Sequence, residues 1–404
     1  MQVGSWLEKA GFDARFTSLV LALALIWIGL SVATDGIFLT PRNLYNLSVQ
    51  TCVTAIMACG MVYLIVARQI DLSVGSQIAF TGMVIAFVQV QWLGAETPYV
   101  WLVSIAAGVA AGALLGVFQG WWVAYRGLPA FLVTLAGYLM FRGAAFLVAD
   151  GQTLAPLSAT YQRIGGGVQG SIGTAWSWVL CAIACAWVIA QAIQARRSRA
   201  RYNAAMAPPW ADAFKAFVTC AALIAFVAVM CAYPDPTSLS ESGAPEGKGI
   251  GIPVLILVLV AVKLTIVAKR TKFGRHVFAY GGNPEAAFLS GLPVKRVILS
   301  LFVMMGALSA VAAVITTSRL NSGTHSMGQM AELYVIAATV IGGTSFSGGV
   351  GTIPGAIVGA LLIQSLDNGM VLMDVSSAQR QIYIGLILIA AVWLDVLYSR
   401  RLSK

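Results

Sequence analysis

The chain has 404 residues, 59% hydrophobic and only 10% charged, with a formal net charge of +10 and a mean hydropathy of +0.84. Soluble domains carry about 25% charged residues, and so few charges cannot cover a soluble globule of this length. Composition therefore implies an integral membrane protein, and the excess of Lys and Arg calls for no nucleic acid, since membrane proteins concentrate these residues in cytoplasmic loops.

The chain opens with MQVGSWLEKAGFDARF, which carries acidic residues and leads into an apolar run with no small-residue cleavage site behind it. It reads as the approach to a retained span rather than a removable signal. A helix needs about 20 apolar residues to cross the hydrocarbon core. Only helices and closed barrels cross, because backbone groups find no water there, and these runs are too long and continuous for barrel strands. They predict an all-α, polytopic fold with spans near 16–34, 45–66, 72–92, 99–125, 128–149, 175–195, 212–233, 250–268, 297–318, 329–345, 350–366 and 381–398. The pieces between 329 and 366 read as half-helices broken at glycines, and 45–66 reads equally as irregular chain, so full crossings number between 10 and 12.

With the N-terminus in the cytoplasm and sides alternating, 19 of the 25 Lys and Arg residues fall at cytoplasmic span ends. Arg42, Arg142, Arg163, Lys248, Arg319 and Arg380 fall on the other side. This asymmetry supports the orientation, with both termini inside. One transmembrane domain, 1–404, is expected, with outer loops at 150–174 and 234–249, an inner loop at 269–296 and no soluble domain appended.

Asp71 is the acid nearest the centre of the apolar pattern. It reads as a pathway, ion or paired site with Arg68 as its partner, or as the cap of an inner-surface turn in which Ser73 and Gly75 break the helix. Gly342, Gly343, Gly348, Gly349, Gly351, Gly355 and Gly359 form the densest glycine run. They read as close helix packing, with Gly355 and Gly359 a small-xxx-small pair, or as a chain break lining a path. Trp121, Trp122, Tyr125 and Arg126 read as interfacial anchors.

Cys52, Cys59, Cys181, Cys185, Cys220 and Cys231 all lie in apolar stretches without zinc-like spacing, and read as small packing hydrophobes. His276 and His325 are isolated in loops, so no metal site is expected. There is no Gly-x-x-x-x-Gly-Lys-[Ser/Thr] phosphate loop and no nucleophile–base arrangement. Neither catalysis nor a cofactor is expected of this chain.

Within the inner loop, GGNPEAAFLSGLP has the punctuation of a short helix. Asn283 suits the N-cap, Pro284 the first helical position, and Glu285 the positive end of the dipole. Gly291 suits a left-handed stop, and Pro293 forbids continuation. A helix of about two turns is not stable alone in water. It needs this protein's own helix ends, another protein, or a bed of lipid headgroups.

The stretch RTKFGRHVFAYGGNPEAAFLSGLPVKRV resembles the cytoplasmic coupling loop of bacterial ABC-type monosaccharide permeases, the family of the ribose, galactose, arabinose and xylose permeases. QTCVTAIMACGMVYLIVARQIDLSVGSQIAFTGM resembles that family's Ile-Asp-Leu-Ser-Val-Gly-Ser segment, and VIAATVIGGTSFSGGVGTIPGAIVGALLIQSLDNGM its glycine-rich C-terminal signature. The likeness runs from about residue 43 to 398. Extra material at 150–215, with two added spans and the RRSRAR loop, resembles the D-xylose branch. A faint echo between DLSVGSQIAFTGMVIAF and SFSGGVGTIPGAIVGALLI fits two parallel repeats.

The resemblance implies a permease in the bacterial inner membrane, working as a homodimer with a separate ATP-binding subunit inside and a periplasmic sugar-binding protein outside. It implies ATPase coupling at Gly274, Arg275, Asn283, Pro284, Glu285, Ala286, Ala287 and Gly291. Asp71, Ser73, Gly75, Ser76, Gly342, Gly343 and Thr344 are the candidate pathway or gate residues, in motifs that the resemblance marks without assigning them a role. The alternatives are an ion-coupled secondary sugar transporter and an uncoupled facilitator.

Overall fold

The computed structural model describes residues 14–167, 170–201, 208–239 and 245–402. The opening segment MQVGSWLEKAGFD, with Lys9, and the terminal Lys404 lie outside the described residues. In chain order the helices are α1 (Ala14–Ala33), α2 (Pro41–Val66), α3 (Val74–Phe87, continued by the π-helical turn Val88–Trp92), α4 (Val100–Arg126), α5 (Ala130–Leu147), the one-turn α6 (Ala159–Gln162), α7 (Gly173–Arg201) and α8 (Pro209–Cys231). After a short antiparallel hairpin, β1 (Pro234–Leu239) and β2 (Pro245–Gly247), come α9 (Ile252–Arg270), α10 (Lys272–Gly282), α11 (Pro284–Leu289), α12 (Val294–Leu320), α13 (Ala331–Ile341), α14 (Ile353–Leu372) and α15 (Ser377–Leu402). Each of the twelve predicted spans contains helix, and among the described residues 10 helices are long and apolar enough to cross a membrane. The fold is that of a polytopic helical membrane protein.

Segment 45–66 is unbroken helix, started by Pro41 in its first turn. Its sequence is apolar or small all round, so it belongs in the middle of a bundle. Accordingly 89% of an apolar 18-residue stretch of α2 is buried, against 11% for the corresponding stretch of each of α1, α7 and α8 at the periphery. Only one of the two expected half-helices is short. α13 has 11 residues and stops at Gly342–Gly343, whereas α14 runs a full 20 residues. Thr352 caps α14, its Oγ1 accepting from the Gly355 amide at 3.2 Å, and Pro354 sits in the first turn.

Helices α4 and α12 pack most closely. Gly108, Gly112, Gly116 and Gly120 recur every fourth residue and so lie on one face of α4. A Cβ on Gly112 would strike the Gly306 carbonyl, and one on Gly306 would strike the Gly112 carbonyl. In lipid, where tails are as apolar as leucine, backbone approach of this kind supplies much of the helix association.

The chain between α12 and α13 is not a surface loop. Gly323 packs against Ala86, Met327 against Gly82 and Gly328 against Gly75 and Ile78, so residues 323–328 descend antiparallel to α3. One crossing is thus half irregular chain and half α13. Irregular backbone at such depth is tolerated only where protein covers it, as α3 does here.

The bundle has two distinct ends, one carrying α10 and α11, the other the β-hairpin. The hairpin was unforeseen, because Pro234, Pro236 and Pro245 read as loop. Its exit is tied down by Lys248, which donates to the Gly167 carbonyl at 3.1 Å and lies over the Tyr45 and Tyr233 rings. The echoed segments, opening α3 and α14, both start helices leading away from the α10–α11 end.

Candidate coupling surface and polar interior

The 269–296 segment holds two helices where the sequence suggested one. Thr271 caps α10, its Oγ1 accepting from the Gly274 amide at 3.1 Å. Gly274, Val277 and Gly281 form the buried face of α10, while Arg275 points to solvent and His276 lies in the helix. Gly274 must lack a side chain, since a Cβ would meet the Val267 and Ala268 carbonyls at the end of α9. Lys272, Arg275 and His276 in the first turns and three glycines hid this 11-residue amphipathic pattern.

α11 has the punctuation read from its sequence. The Asn283 Oδ1 accepts from the Ala286 amide at 3.0 Å, with Pro284 and Glu285 in the first turn. At the other end Gly291 is left-handed, with φ +74. The Leu292 amide donates to the Ala287 carbonyl at 3.2 Å and the Gly291 amide to the Phe288 carbonyl at 3.0 Å. This paired arrangement is the Schellman stop, which satisfies two orphan carbonyls. Ala287 faces inward, but Phe288 and Leu289 are 73% and 79% exposed. Two large apolar side chains therefore stand out from a rigidly capped stub.

A second group lies inside the bundle. Asp71, in the connection 67–73, is fully buried. Its Oδ1 accepts from the Ser73 amide at 2.8 Å and the Ser73 hydroxyl at 2.6 Å, and its Oδ2 accepts from the Gln77 amide nitrogen at 2.9 Å. Gln119 of α4 closes the network by donating to the Ser73 Oγ at 2.6 Å. The carboxylate thus sits at the positive end of α3 and stitches its first turn. Burial pushes the carboxyl above the usual carboxylate range, and the bonds from Ser73 and Gln77 act against that. Arg68 is not its partner. That side chain donates instead to the Gly281 and Gly282 carbonyls.

Gly75 faces the descending segment, and Ser76 is fully buried beside it in the chain. Gly75 abuts the Gly328 carbonyl and the Glu332 carboxylate. Arg142 of α5 donates to the His325 and Met327 carbonyls at 2.9 and 2.7 Å, which holds that segment against α3. Ser76 Oγ, Gln77 Oε1 and Glu332 Oε2 are buried without a protein partner.

Gly342 and Gly343 lie elsewhere, in the wall of a cavity of about 1120 Å³ bounded by α1, α9, α14 and α15. Its other walls include Phe16, Leu19, Phe278, Ile341, Ile353 and Leu362, an apolar lining that offers a sugar few hydroxyl partners. Thr344 is buried beside Gly351. The sequence-selected residues therefore form three places: the α10–α11 surface, the head of α3, and the break between α13 and α14.

Comparison with known proteins bears on this arrangement. The family model described as the permease component of branched-chain amino acid transport systems matches residues 43–392. The chain belongs to this permease family. It is 40% identical over 387 residues to the xylose transport system permease protein XylH of Haemophilus influenzae, covering 95% of this chain and 96% of that one. It is 38% identical over 386 residues to XylH of Escherichia coli K12, covering 95% and 92%, and 30% identical over 378 residues to the ribose import permease RbsC of the same strain, covering 94% and 92%. No solved structure matches. The matched region contains all three places.

Proposed function

We propose that the protein is the membrane-spanning subunit of an ATP-driven importer for a monosaccharide, D-xylose, in the bacterial inner membrane. The observation that carries this reading is the capped stub α11, which presents Phe288 and Leu289 beyond the bundle. A surface of that kind suits a groove on a separate ATP-binding subunit. The chain's own motifs contain no phosphate loop to drive transport. The names of the 38–40% identical relatives support xylose as the cargo.

In this reading the α10–α11 end is cytoplasmic, as are both termini. A sugar-binding protein delivers cargo at the β-hairpin end, and two copies of the chain frame the path. Gly274, Arg275, Asn283, Pro284, Glu285, Ala286, Ala287 and Gly291 build the dock. The connections 67–73 and 342–352, with Asp71, Ser73, Gly342, Gly343 and Thr344, and the head of α3 with Gly75 and Ser76, form the moving part of the gate. Residues 150–215, which supply peripheral α7 and most of the approach to α8, are a branch-specific insertion. ATP binding draws the ATPases together, and the stubs carry that motion into the spans as a shift between inward and outward states.

Reconstitution tests the reading. Labelled xylose uptake should require the ATP-binding subunit and the sugar-binding protein, persist with a protonophore, and exceed uptake of hexoses. Uptake by the chain alone that collapses with the protonophore would favour ion coupling instead.

A further inference from the structure

The inner end of α2 is closed in an unusual way. The Arg68 amide donates to the Ile65 carbonyl at 2.9 Å and the Gln69 amide to the Leu64 carbonyl at 2.8 Å. This is again a Schellman stop, and its left-handed position is the one glycine normally fills. Here it is arginine, with φ +58. A residue with a side chain is held there against backbone preference, so the side chain must do something glycine cannot.

What it does is join three elements. The Arg68 Nε donates to the Gly281 carbonyl at 2.9 Å and an Nη to the Gly282 carbonyl at 3.3 Å. These are terminal carbonyls of α10, where a cation also suits the helix dipole. The stem of Arg68 lies against Gly348 in the turn that leads to α14. Beside it the Gly349 amide donates to the Val66 carbonyl at 2.9 Å. Gly281 is packed so tightly on that same carbonyl that no Cβ fits. The end of α2, the elbow between α10 and α11, and the connection before α14 thus share one joint with the guanidinium at its centre.

We propose that Arg68 is the positioning residue through which movement of the α10–α11 hairpin reaches α2 and the α13–α14 connection. The proposal rests on reading α11 as the ATPase dock. The hairpin, the central helix and the connection then move as one body.

The test uses the permease assembled with its ATP-binding subunit in proteoliposomes with xylose-binding protein outside. Arg68→Gly keeps the left-handed stop and removes only the side chain. It should still co-purify with the ATPase and hydrolyse ATP within about twofold of the parent, while xylose imported per ATP falls about tenfold or more. Arg68→Lys, which keeps one charged donor but not the forked reach, should recover part of that ratio. An unchanged ratio in Arg68→Gly overturns the joint. A wild-type chain that never retains the ATPase overturns the dock, and the joint with it. Should Arg68→Gly fail to fold, spin labels at Ser290 and Ser347 in the otherwise native complex decide the matter. Their separation should hold between nucleotide-free and ATP-bound states, and a change in that distance refutes a rigid joint.

Discussion

Truncating Phe288 to alanine isolates the proposed docking surface from the fold. Phe288 is 73% exposed in the chain itself. A buried aromatic removes about 200 Å² from water, so covering this ring under a partner removes about 150 Å². At about 25 cal/mol per Å² that is about 4 kcal/mol. Alanine retains part of the area, and ordering at the interface offsets part of the gain. Phe288→Ala should therefore weaken ATPase binding by about 2–3 kcal/mol, or about 30- to 150-fold in Kd. The permease alone should barely notice, because the ring packs on little of its own chain. The assay is titration of the purified ATP-binding subunit onto the permease in nanodiscs, with thermal unfolding of the permease as control. Affinity within twofold of the parent, with unfolding unchanged, would show that α11 docks nothing there and would remove the coupling surface from the mechanism.

Asn283→Ala removes the N-cap bond of α11 and should cost the stub about 1 kcal/mol, read as faster amide exchange over 284–289 with no change in the spans. Gly112→Leu forces a side chain into the Gly306 carbonyl. It should lower permease stability by about 1–3 kcal/mol, whereas Gly143→Ala on α5, with nothing within 4 Å of its added Cβ, should be neutral or stabilising by up to about 1 kcal/mol; equal thermal shifts would contradict the packing. Asp71→Asn turns one acceptor into a donor facing either the Ser73 amide or the Gln77 side chain. That mismatch should cost about 1–3 kcal/mol, measured by thermal unfolding, and Asp71→Asn of parental stability would mean the network does not secure the head of α3.

The spans were legible because crossing a bilayer demands runs of apolar residues, and nothing else in a chain resembles them. The stub α11 was legible for a different reason. Asn283, Pro284, Glu285, Gly291 and Pro293 each obey a local backbone rule, and the structure uses four of them directly. What escaped was tertiary. α10 reads as charged loop until Gly274 and Gly281 are seen to be close approaches to α9 and α2. The 323–328 descent has no periodicity, because its backbone is satisfied by α5 and the chain itself rather than by a ladder. The four-residue glycine spacing of α4 was open to inspection, and its partner on α12 was not. Arg68 shows the limit most sharply. Proximity in sequence paired it with Asp71, whereas the carbonyls it meets lie 213 and 214 residues away.

The contrast between Asp71 and Arg68, three residues apart, also gives the proposed mechanism a way to move the α10–α11 end without unravelling it. Asp71 spends its acceptors on Ser73 and Gln77 and so belongs to α3. Arg68 spends its donors on α10 and so belongs to α2 and the hairpin. The links from one set to the other run through Gln69 and Ile70, and the Gln69 side chain bonds only locally, to the Ala67 carbonyl at 3.3 Å. A connection whose two ends are fixed to different bodies is where rotation is absorbed at least cost, since hinges are short segments that take up backbone change between rigid elements. On the other side Gly348 and Gly349 are held in the joint, by the Arg68 stem and the Val66 carbonyl. In that mechanism a push on α11 is not dissipated in α11, which is capped at both ends. In the proposed coupling it is delivered to α2 and to the connection before α14 as one body, and released as rotation at residues 69–70.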